Sequence, residues 1–163
     1  MVKTYYIFRH ALTYALKTGT AYGDAVLTAP ILHVGRQPYK KMGRFLKSKR
    51  TDFNVSSPLI RCKQTTQIIS EITGKEFILD ERLTEFHLES RESLERRLTD
   101  FLDEMNEKGF EKMAICTHGA VISALIGLLT PENGKEEYGL LNYPDPGVLV
   151  IIKDGHFEEI NFN

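Results

Sequence analysis

Tyr5-Tyr6-Ile7-Phe8-Arg9-His10-Ala11 is the stretch of sequence that decides the fold. Its first half is a short apolar run, which is typical of a strand buried on both faces of a largely parallel sheet. An arginine and a histidine follow at the point where that strand should end. We therefore place Arg9 and His10 at the carboxyl edge of a sheet, where open α/β folds bind their ligands.

A second stretch, more than a hundred residues later, has the same design. Met113 to Cys116 form another short apolar run, and Thr117-His118-Gly119 follow it. Ala120 to Leu129 is apolar nearly all round, which predicts a buried helix. The backbone amides at the start of that helix should point at a ligand beside His118. Gly119 has no side chain, so an anion could approach the backbone closely there.

The remaining strand signals are shorter. Phe53 to Val55 and Phe77 to Leu79 are further short strands. Val148 to Ile152 and His156 to Ile160 predict an antiparallel hairpin, because Lys153-Asp154-Gly155 between them contains the Asp-Gly pair that tight turns favour. We expect this hairpin at or near one edge of the sheet.

Helical patterns alternate with these strands. One helix is predicted from about Gln37 to Ser48, and a second from Ser57 as N-cap and Pro58 as first helical residue towards Thr73. A third is capped by Ser90 and carries an apolar stripe at Leu94, Leu98, Phe101, Leu102 and Met105. This alternation predicts a single α/β domain spanning residues 1–163, with three α/β/α layers and a mostly parallel mixed sheet.

Bulk properties narrow the class of protein. A chain of 163 residues can bury a core without disulfides or a structural metal, and a net charge of −1 gives no reason to expect nucleic acid as a partner. The longest apolar run is too short to span a membrane, and Met1-Val2-Lys3 leave no room for a signal peptide before the first strand. Cys62 and Cys116 lack metal-ligand spacing and are interpreted as buried free thiols. We expect a cytoplasmic domain, and its oligomeric state stays open.

The strand-end residues indicate a particular chemistry. Ser57-Pro58-Leu59-Ile60-Arg61 supplies a second arginine, and each guanidinium can direct two donors at the oxygens of a phosphoryl group. A neutral imidazole in line with phosphorus can attack it and form a covalent phosphohistidine. Cationic groups offset the charge that spreads over the oxygens during transfer. Two histidines and two arginines therefore predict a phosphoryl pocket that requires neither a metal nor a cofactor.

Three motifs in sequence order carry a family resemblance. They are Arg9-His10-Ala11 with Thr13 close behind, the run from Ser57 to Thr65 that reads Ser-Pro-Leu-Ile-Arg-Cys-Lys-Gln-Thr, and Thr117-His118-Gly119. In these motifs the chain resembles the histidine phosphatase superfamily, with its phosphoglycerate-mutase-like fold, and within it the small single-domain branch that includes phosphohistidine phosphatases. Lesser landmarks of the family occur in the same order at Leu27-Thr28, Gly35, Leu83-x-Glu85 and Glu89-Ser90.

The resemblance implies roles for individual residues. It makes His10 the nucleophile and Glu85 the acid that protonates the leaving group and then activates water, with Glu89 as the alternative acid. The phosphoryl group would be held by Arg9, Arg61, His118, Gly119 and Thr13. The implied substrate is a phosphorylated small molecule or a phosphoprotein.

Some positions stay open. Ala11 stands where the family usually has glycine, which would cost roughly 1–2 kcal/mol if that backbone required a positive φ. His87 neighbours Glu85 and is either solvated or part of the pocket. In a predicted long loop over residues 14–34, Tyr14, Lys17 and Tyr22 are either exposed or in contact with substrate. The basic residues of the stretch 36–50 form a solvated helix face or a docking surface for an acidic protein.

The function also has alternatives at this stage. A phosphatase acting through phosphohistidine is favoured, because the short segment between Glu85 and the next helix leaves little material to enclose a substrate. A phosphoglycerate mutase is the first alternative, although family mutases are longer. The second is a catalytically silent module that binds phosphorylated ligands, for which neither a nucleophile nor an acid would be needed.

Overall fold

A six-stranded mixed sheet forms the centre of the computed structural model, which describes residues 1–131 and 142–163. The strands are β1 (Thr4–Arg9), β2 (Phe53–Ser56), β3 (Ile78–Leu79), β4 (Lys112–Thr117), β5 (Val148–Lys153) and β6 (His156–Asn161). Their order across the sheet is β3-β2-β4-β1-β5-β6. The first four strands of that order pair in parallel. β5 pairs antiparallel with β1, and β6 pairs antiparallel with β5, so the predicted mixed sheet is confirmed.

Helices cover both faces of the sheet. They are α1 (Tyr14–Thr18), α2 (Arg36–Lys47), α3 (Ile60–Thr73), α4 (Arg91–Glu107) and α5 (Gly119–Leu129). Because neighbouring side chains of a strand point to opposite faces, Ile7 of β1 packs into one core cluster with α4 and α5, and Phe8 packs into the other with α2 and α3. The predicted three-layer α/β/α architecture is therefore confirmed.

The hairpin at the carboxyl end also agrees with the sequence. β5 and β6 pair antiparallel, and β6 is an edge strand. Asp154 and Gly155 both have positive φ, at 51° and 77°. Two successive residues of that kind form the tight turn that matches the twist of a hairpin.

The predicted start of α3 is wrong. The sequence placed Ser57 at the N-cap and Pro58 at the first helical position, but α3 begins at Ile60 after an extended Leu59. The Ser57 hydroxyl instead accepts a hydrogen bond from the Leu59 amide at 3.3 Å and contacts His118. A side chain engaged in this way forms a turn ahead of the helix rather than a cap.

One other expectation needs adjustment. The segment 14–34 is not a loop throughout, because it contains α1 and a 3₁₀ turn at Gly23–Ala25, with another beginning at His33. The face of α2 that carries Lys41, Arg44 and Lys47 is exposed, as both interpretations of the basic stretch require.

Among the described residues, no helix is long and apolar enough to cross a membrane.

Candidate active site

The parallel pairing of β1 with β4 brings the two strand-end histidines together. Arg9 lies opposite Thr117 in the register, so the next residue on each strand is a histidine. The His10 amide donates to the Thr117 carbonyl at 3.1 Å, and the two imidazole rings lie 5.4 Å apart between centroids. Both rings are fully buried. Adjacent strands therefore create this pair from residues far apart in sequence.

One hydrogen bond decides which nitrogen of His10 is available. Nδ1 of His10 lies 2.8 Å from the Ala11 carbonyl, which can only accept. Nδ1 must therefore carry the proton, and in the neutral ring Nε2 carries the lone pair. No described residue donates to that Nε2 atom. The backbone thus fixes the tautomer of His10 and leaves the lone pair of Nε2 without a donor among the described residues.

His118 is oriented by Ser57, a residue that sequence reasoning assigned to a helix cap. The Ser57 hydroxyl lies 2.8 Å from Nε2 of His118. Because that oxygen already accepts from the Leu59 amide, its proton can be donated to Nε2, which leaves Nδ1–H facing the site. The Ser-Pro-Leu motif contained the signal, but the sequence alone gave no reason to connect it with His118.

The two arginines are buried beside the histidines and stack on tyrosines. Arg61 is fully buried and Arg9 is 5% exposed. The Arg61 guanidinium lies 4.7 Å from the ring centre of Tyr22, and the Arg9 guanidinium lies at the same distance from Tyr143. Cation–π contacts of this kind hold each planar group in a fixed orientation.

Four side-chain atoms share an unusual property. Within residues 1–131 and 142–163, the buried side-chain nitrogen and oxygen atoms without a hydrogen-bond partner are Nε of Arg9, Nε2 of His10, Nε of Arg61 and Nδ1 of His118. Buried polar atoms normally have partners, because leaving one unsatisfied costs about 1–3 kcal/mol. All four belong to residues that the sequence predicted to surround a phosphoryl group. Three of them can be N–H donors, and the fourth carries the lone pair of His10.

Burial and charge both act on the histidines. Desolvation, with a further contribution from the charges of Arg9 and Arg61, holds the pKa of His10 well below 6.5. The pKa of His118 is also held well below 6.5, chiefly by desolvation and further by the charges of Arg61 and Arg9. Both rings are therefore neutral at neutral pH, as the free lone pair of His10 requires.

Of the two candidate acids, Glu85 lies at the histidines. Its Oε2 atom accepts from Nη2 of Arg61 at 3.1 Å and lies 3.4 Å from Nδ1 of His118. Glu89 is paired with Arg97 at 2.5 Å instead. A cleft opens beside this site, and Arg9, Glu85 and Gly119 are among the residues that line it. His87, whose position the sequence left open, lines the same cleft.

The remaining predicted positions have distinct surroundings. Gly119 lines the cleft, and a Cβ atom there would lie 2.5 Å from the Tyr143 ring, so the close packing of Tyr143 requires glycine. The hydroxyl of Thr13 contacts that of Tyr22 at 2.8 Å and caps α1. Ala11 does not have a positive φ, so alanine causes no backbone strain at that position. Of the three loop candidates for substrate contact, Tyr22 lines the cleft.

The same residues also include atoms that can act as metal ligands. The ligand atoms of His10, Glu85 and His118 all lie within 4.8 Å of one another. Arg61 donates to the carboxylate of this set, and both guanidiniums raise the positive potential around it. Two permanent cations oppose a third cation, whereas they favour a tetrahedral anion.

The α/β/α fold places two buried histidines at the ends of β1 and β4, with the buried Arg9 and Arg61 beside them. Comparison with known families agrees: residues 5–89 match the model of the histidine phosphatase superfamily, branch 1. The chain belongs to that superfamily, and the predicted family and enzyme class are confirmed.

Individual relatives span nearly the whole chain. A protein from Hydrogenobacter thermophilus, provisionally named phosphoserine phosphatase 2, is 24% identical over 188 residues, which cover 94% of this chain and 91% of the relative. A solved structure from Escherichia coli, provisionally described as an α-ribazole-5′-P phosphatase, superimposes with a TM-score of 0.80 at 15% identity and covers 99% of this chain and 97% of its own. A structure from Agrobacterium tumefaciens, provisionally described as a phosphohistidine phosphatase, has a TM-score of 0.71 at 14% identity, with coverage of 99% and 97%.

Proposed function

We propose that this protein is a metal-independent phosphatase that hydrolyses phosphate monoesters or phosphohistidine through a covalent intermediate on His10. One observation carries the proposal: Nε2 of His10 has a lone pair without a partner among the described residues, and unpartnered buried donors of Arg9, Arg61 and His118 lie near the ring. A tetrahedral phosphoryl group satisfies those donors and presents phosphorus to the lone pair.

The first step transfers the phosphoryl group to the enzyme. Nε2 of His10 forms a bond to phosphorus while the bond from phosphorus to the leaving oxygen breaks. Arg9 and Arg61 donate to the equatorial oxygens and offset their charge. The leaving oxygen takes a proton from Glu85, which is the carboxyl group next to the site.

The second step returns the enzyme to its starting state. Water attacks phosphorus, its proton goes to the Glu85 carboxylate, and the bond from phosphorus to Nε2 breaks. Inorganic phosphate leaves, with the lone pair restored on His10. Throughout both steps the hydrogen bond from Nδ1 to the Ala11 carbonyl holds the ring in place.

The structure supports a phosphatase over a binding module, and an experiment distinguishes a phosphatase from a mutase. A module that only binds phosphorylated ligands would need the donors, but it would gain nothing from a deprotonated Nε2 among them. A mutase would pass the phosphoryl group to an organic hydroxyl rather than to water. Product analysis with phenyl phosphate distinguishes the two enzymes, because a phosphatase releases equal amounts of phenol and inorganic phosphate.

The decisive experiment combines turnover and labelling. We expect hydrolysis of p-nitrophenyl phosphate in EDTA, and an acid-labile label on the protein from ³²P-labelled substrate. His10→Ala should abolish both, and His118→Ala should slow turnover severely while still permitting weak labelling. His33→Ala, at an exposed histidine, is the matched control and should keep full activity.

Two results would contradict the proposal. Robust steady-state turnover by His10→Ala would exclude a covalent intermediate on that residue. Loss of activity in EDTA that returns with a divalent cation would show that the enzyme depends on a metal.

A further inference from the structure

A cleft of about 530 Å³ opens beside Arg9, Glu85 and Gly119. Its walls are mostly apolar or aromatic, and they include Leu16, Tyr22, Val26, Phe86 and Tyr143. Each of these side chains is half-buried. A group bound in the cleft would therefore cover apolar surface that is otherwise in contact with water.

The charges in the cleft are few. Arg9 is the only lysine or arginine, and Glu85 the only carboxylate, among the described residues that line it. Arg9 stacks on Tyr143, and its unpartnered Nε belongs to the phosphoryl site. The second arginine of that site, Arg61, donates to Glu85 and to the Val26 carbonyl. Besides the imidazole of the exposed His87, the described part of the cleft therefore offers no further basic side chain to a second anionic group of a substrate.

These two observations together define the leaving group. We propose that the substrate is a phosphate monoester whose alcohol or phenol part is uncharged and carries an aromatic ring. This inference rests on the proposed function. The ring would lie between the aromatic walls, whereas a carboxylate at the same place would lose water without gaining a partner.

Glu85 strengthens the discrimination against acidic substrates. Its carboxyl group borders the cleft at the end nearest the histidines. Glu85 becomes a carboxylate as it gives its proton to the leaving oxygen. A carboxylate or second phosphate on the leaving group would therefore be repelled by Glu85 in the transition state, because like charges in a partly dry site repel. Esters of hydroxy acids and bisphosphates should therefore be poor substrates.

A matched pair of esters tests the charge preference. The esters 4-propylphenyl phosphate and 3-(4-phosphonooxyphenyl)propionate differ in a terminal carboxylate that two methylenes separate from the ring, so their phenols leave equally well. We expect kcat/KM for the propyl ester to be at least about tenfold higher. Ala21→Lys, at an exposed position on the rim of the cleft, should narrow this ratio, and Ala21→Met is the neutral control that should leave it unchanged.

A second pair of esters, both of which release a primary alcohol, tests the aromatic walls. We expect 2-phenylethyl phosphate to be hydrolysed with a higher kcat/KM than ethyl phosphate. Phe86→Ala should reduce that advantage, measured as the ratio of the two kcat/KM values. Equal losses on both alkyl esters would overturn the role of the aromatic wall.

The outcomes separate this inference from the proposed function. Equal or faster hydrolysis of the carboxylated ester would overturn the inference, and the phosphatase activity itself would stand. Failure to hydrolyse any of the four esters, with no label on His10, would overturn the proposed function and the inference with it. Support for both the inference and the proposed function would be a higher kcat/KM for the propyl ester, with a ratio that Ala21→Lys narrows and Ala21→Met leaves unchanged.

Discussion

His10 shows how a single contact prepares a residue for chemistry. A histidine ring has two nitrogens, and the carbonyl of Ala11 requires the proton to be on Nδ1. Desolvation and the charges of Arg9 and Arg61 then lower the pKa of the ring, so Nε2 is unprotonated at neutral pH. The residue next in sequence supplies the orientation, and burial supplies the protonation state.

Glu85 is the residue whose role depends most on the substrate. A proton donated to the leaving oxygen matters for a basic alkoxide and matters little for a stable phenolate. We expect Glu85→Gln to slow phosphoryl transfer to His10 by roughly 10²–10⁴-fold with an alkyl phosphate. The effect with p-nitrophenyl phosphate should be small. Single-turnover kinetics on both esters measure the first step directly.

Glu89→Gln is the control for that prediction. Its carboxylate pairs with Arg97 and accepts from Ser93 rather than contacting the histidines. We expect Glu89→Gln to change the rate of phosphoryl transfer by the same factor with the alkyl phosphate and with p-nitrophenyl phosphate. If Glu89→Gln shows that dependence and Glu85→Gln does not, the acid is Glu89.

At the scale of elements, helix α4 holds the segment that carries Glu85. Arg97 on α4 donates from Nη2 to the Thr84 carbonyl at 3.0 Å and from Nη1 to the Arg82 carbonyl. Its Nε also donates to the Glu89 carboxylate at 3.1 Å. This segment between the 3₁₀ turn at Glu81–Leu83 and α4 has little regular structure of its own. Arg97 is therefore a positioning residue for Glu85.

Arg97→Gln should separate this positioning from general stability. Loss of the partly buried ion pair should lower the free energy of unfolding by about 1–3 kcal/mol, which urea titration measures. A displaced Glu85 should also slow phosphoryl transfer from an alkyl phosphate more than from p-nitrophenyl phosphate, because only the first needs the acid. A displacement of about 1 Å can reduce a rate by about 10²-fold.

Arg96→Gln is the matched control on the same helix, since Arg96 is exposed. It should alter neither the stability by more than about 0.5 kcal/mol nor the leaving-group dependence. If Arg97→Gln slowed both esters by the same factor, Arg97 would be structural only.

At the scale of the whole molecule, two buried neutral histidines link stability to pH. In the unfolded chain each would take up a proton as the pH falls through about 6.5. In the folded protein both have a pKa well below that value, chiefly because of desolvation. The unfolded chain thus binds more protons below pH 6.5, and the folded state loses stability in that range.

We expect the free energy of unfolding to be nearly constant from pH 8 to 7 and to fall as the pH drops from 6.5 to 5.5. Each histidine should add a slope of about 1.4 kcal/mol per pH unit once the unfolded chain is protonated. Urea titrations at each pH measure this dependence. His118→Gln should remove one of the two contributions, whereas the exposed His156→Gln should leave the slope unchanged. A rise in stability on acidification would contradict the lowered pKa values.

Much of the fold could be predicted because its signals are local. The apolar runs that became β1 and β4, the stripe on α4 and the Asp154-Gly155 turn each depend on residues close together in the chain. In a parallel sheet the carboxyl ends of the strands lie at one edge, which is why His10 and His118 were expected to meet.

Tertiary structure alone decided the finer arrangement of the site. Ser57 was predicted to be a helix cap, and its contact with His118 depends on the pairing of β2 with β4. Neither the link from Arg97 to the Glu85 segment nor the stacking of Tyr22 and Tyr143 on the arginines has a periodic or short-range signal. Sequence determines which residues stand at the strand ends, because backbone propensity and burial act locally. The orientation of each side chain and the charge of the cleft depend on neighbours that only the folded chain brings together.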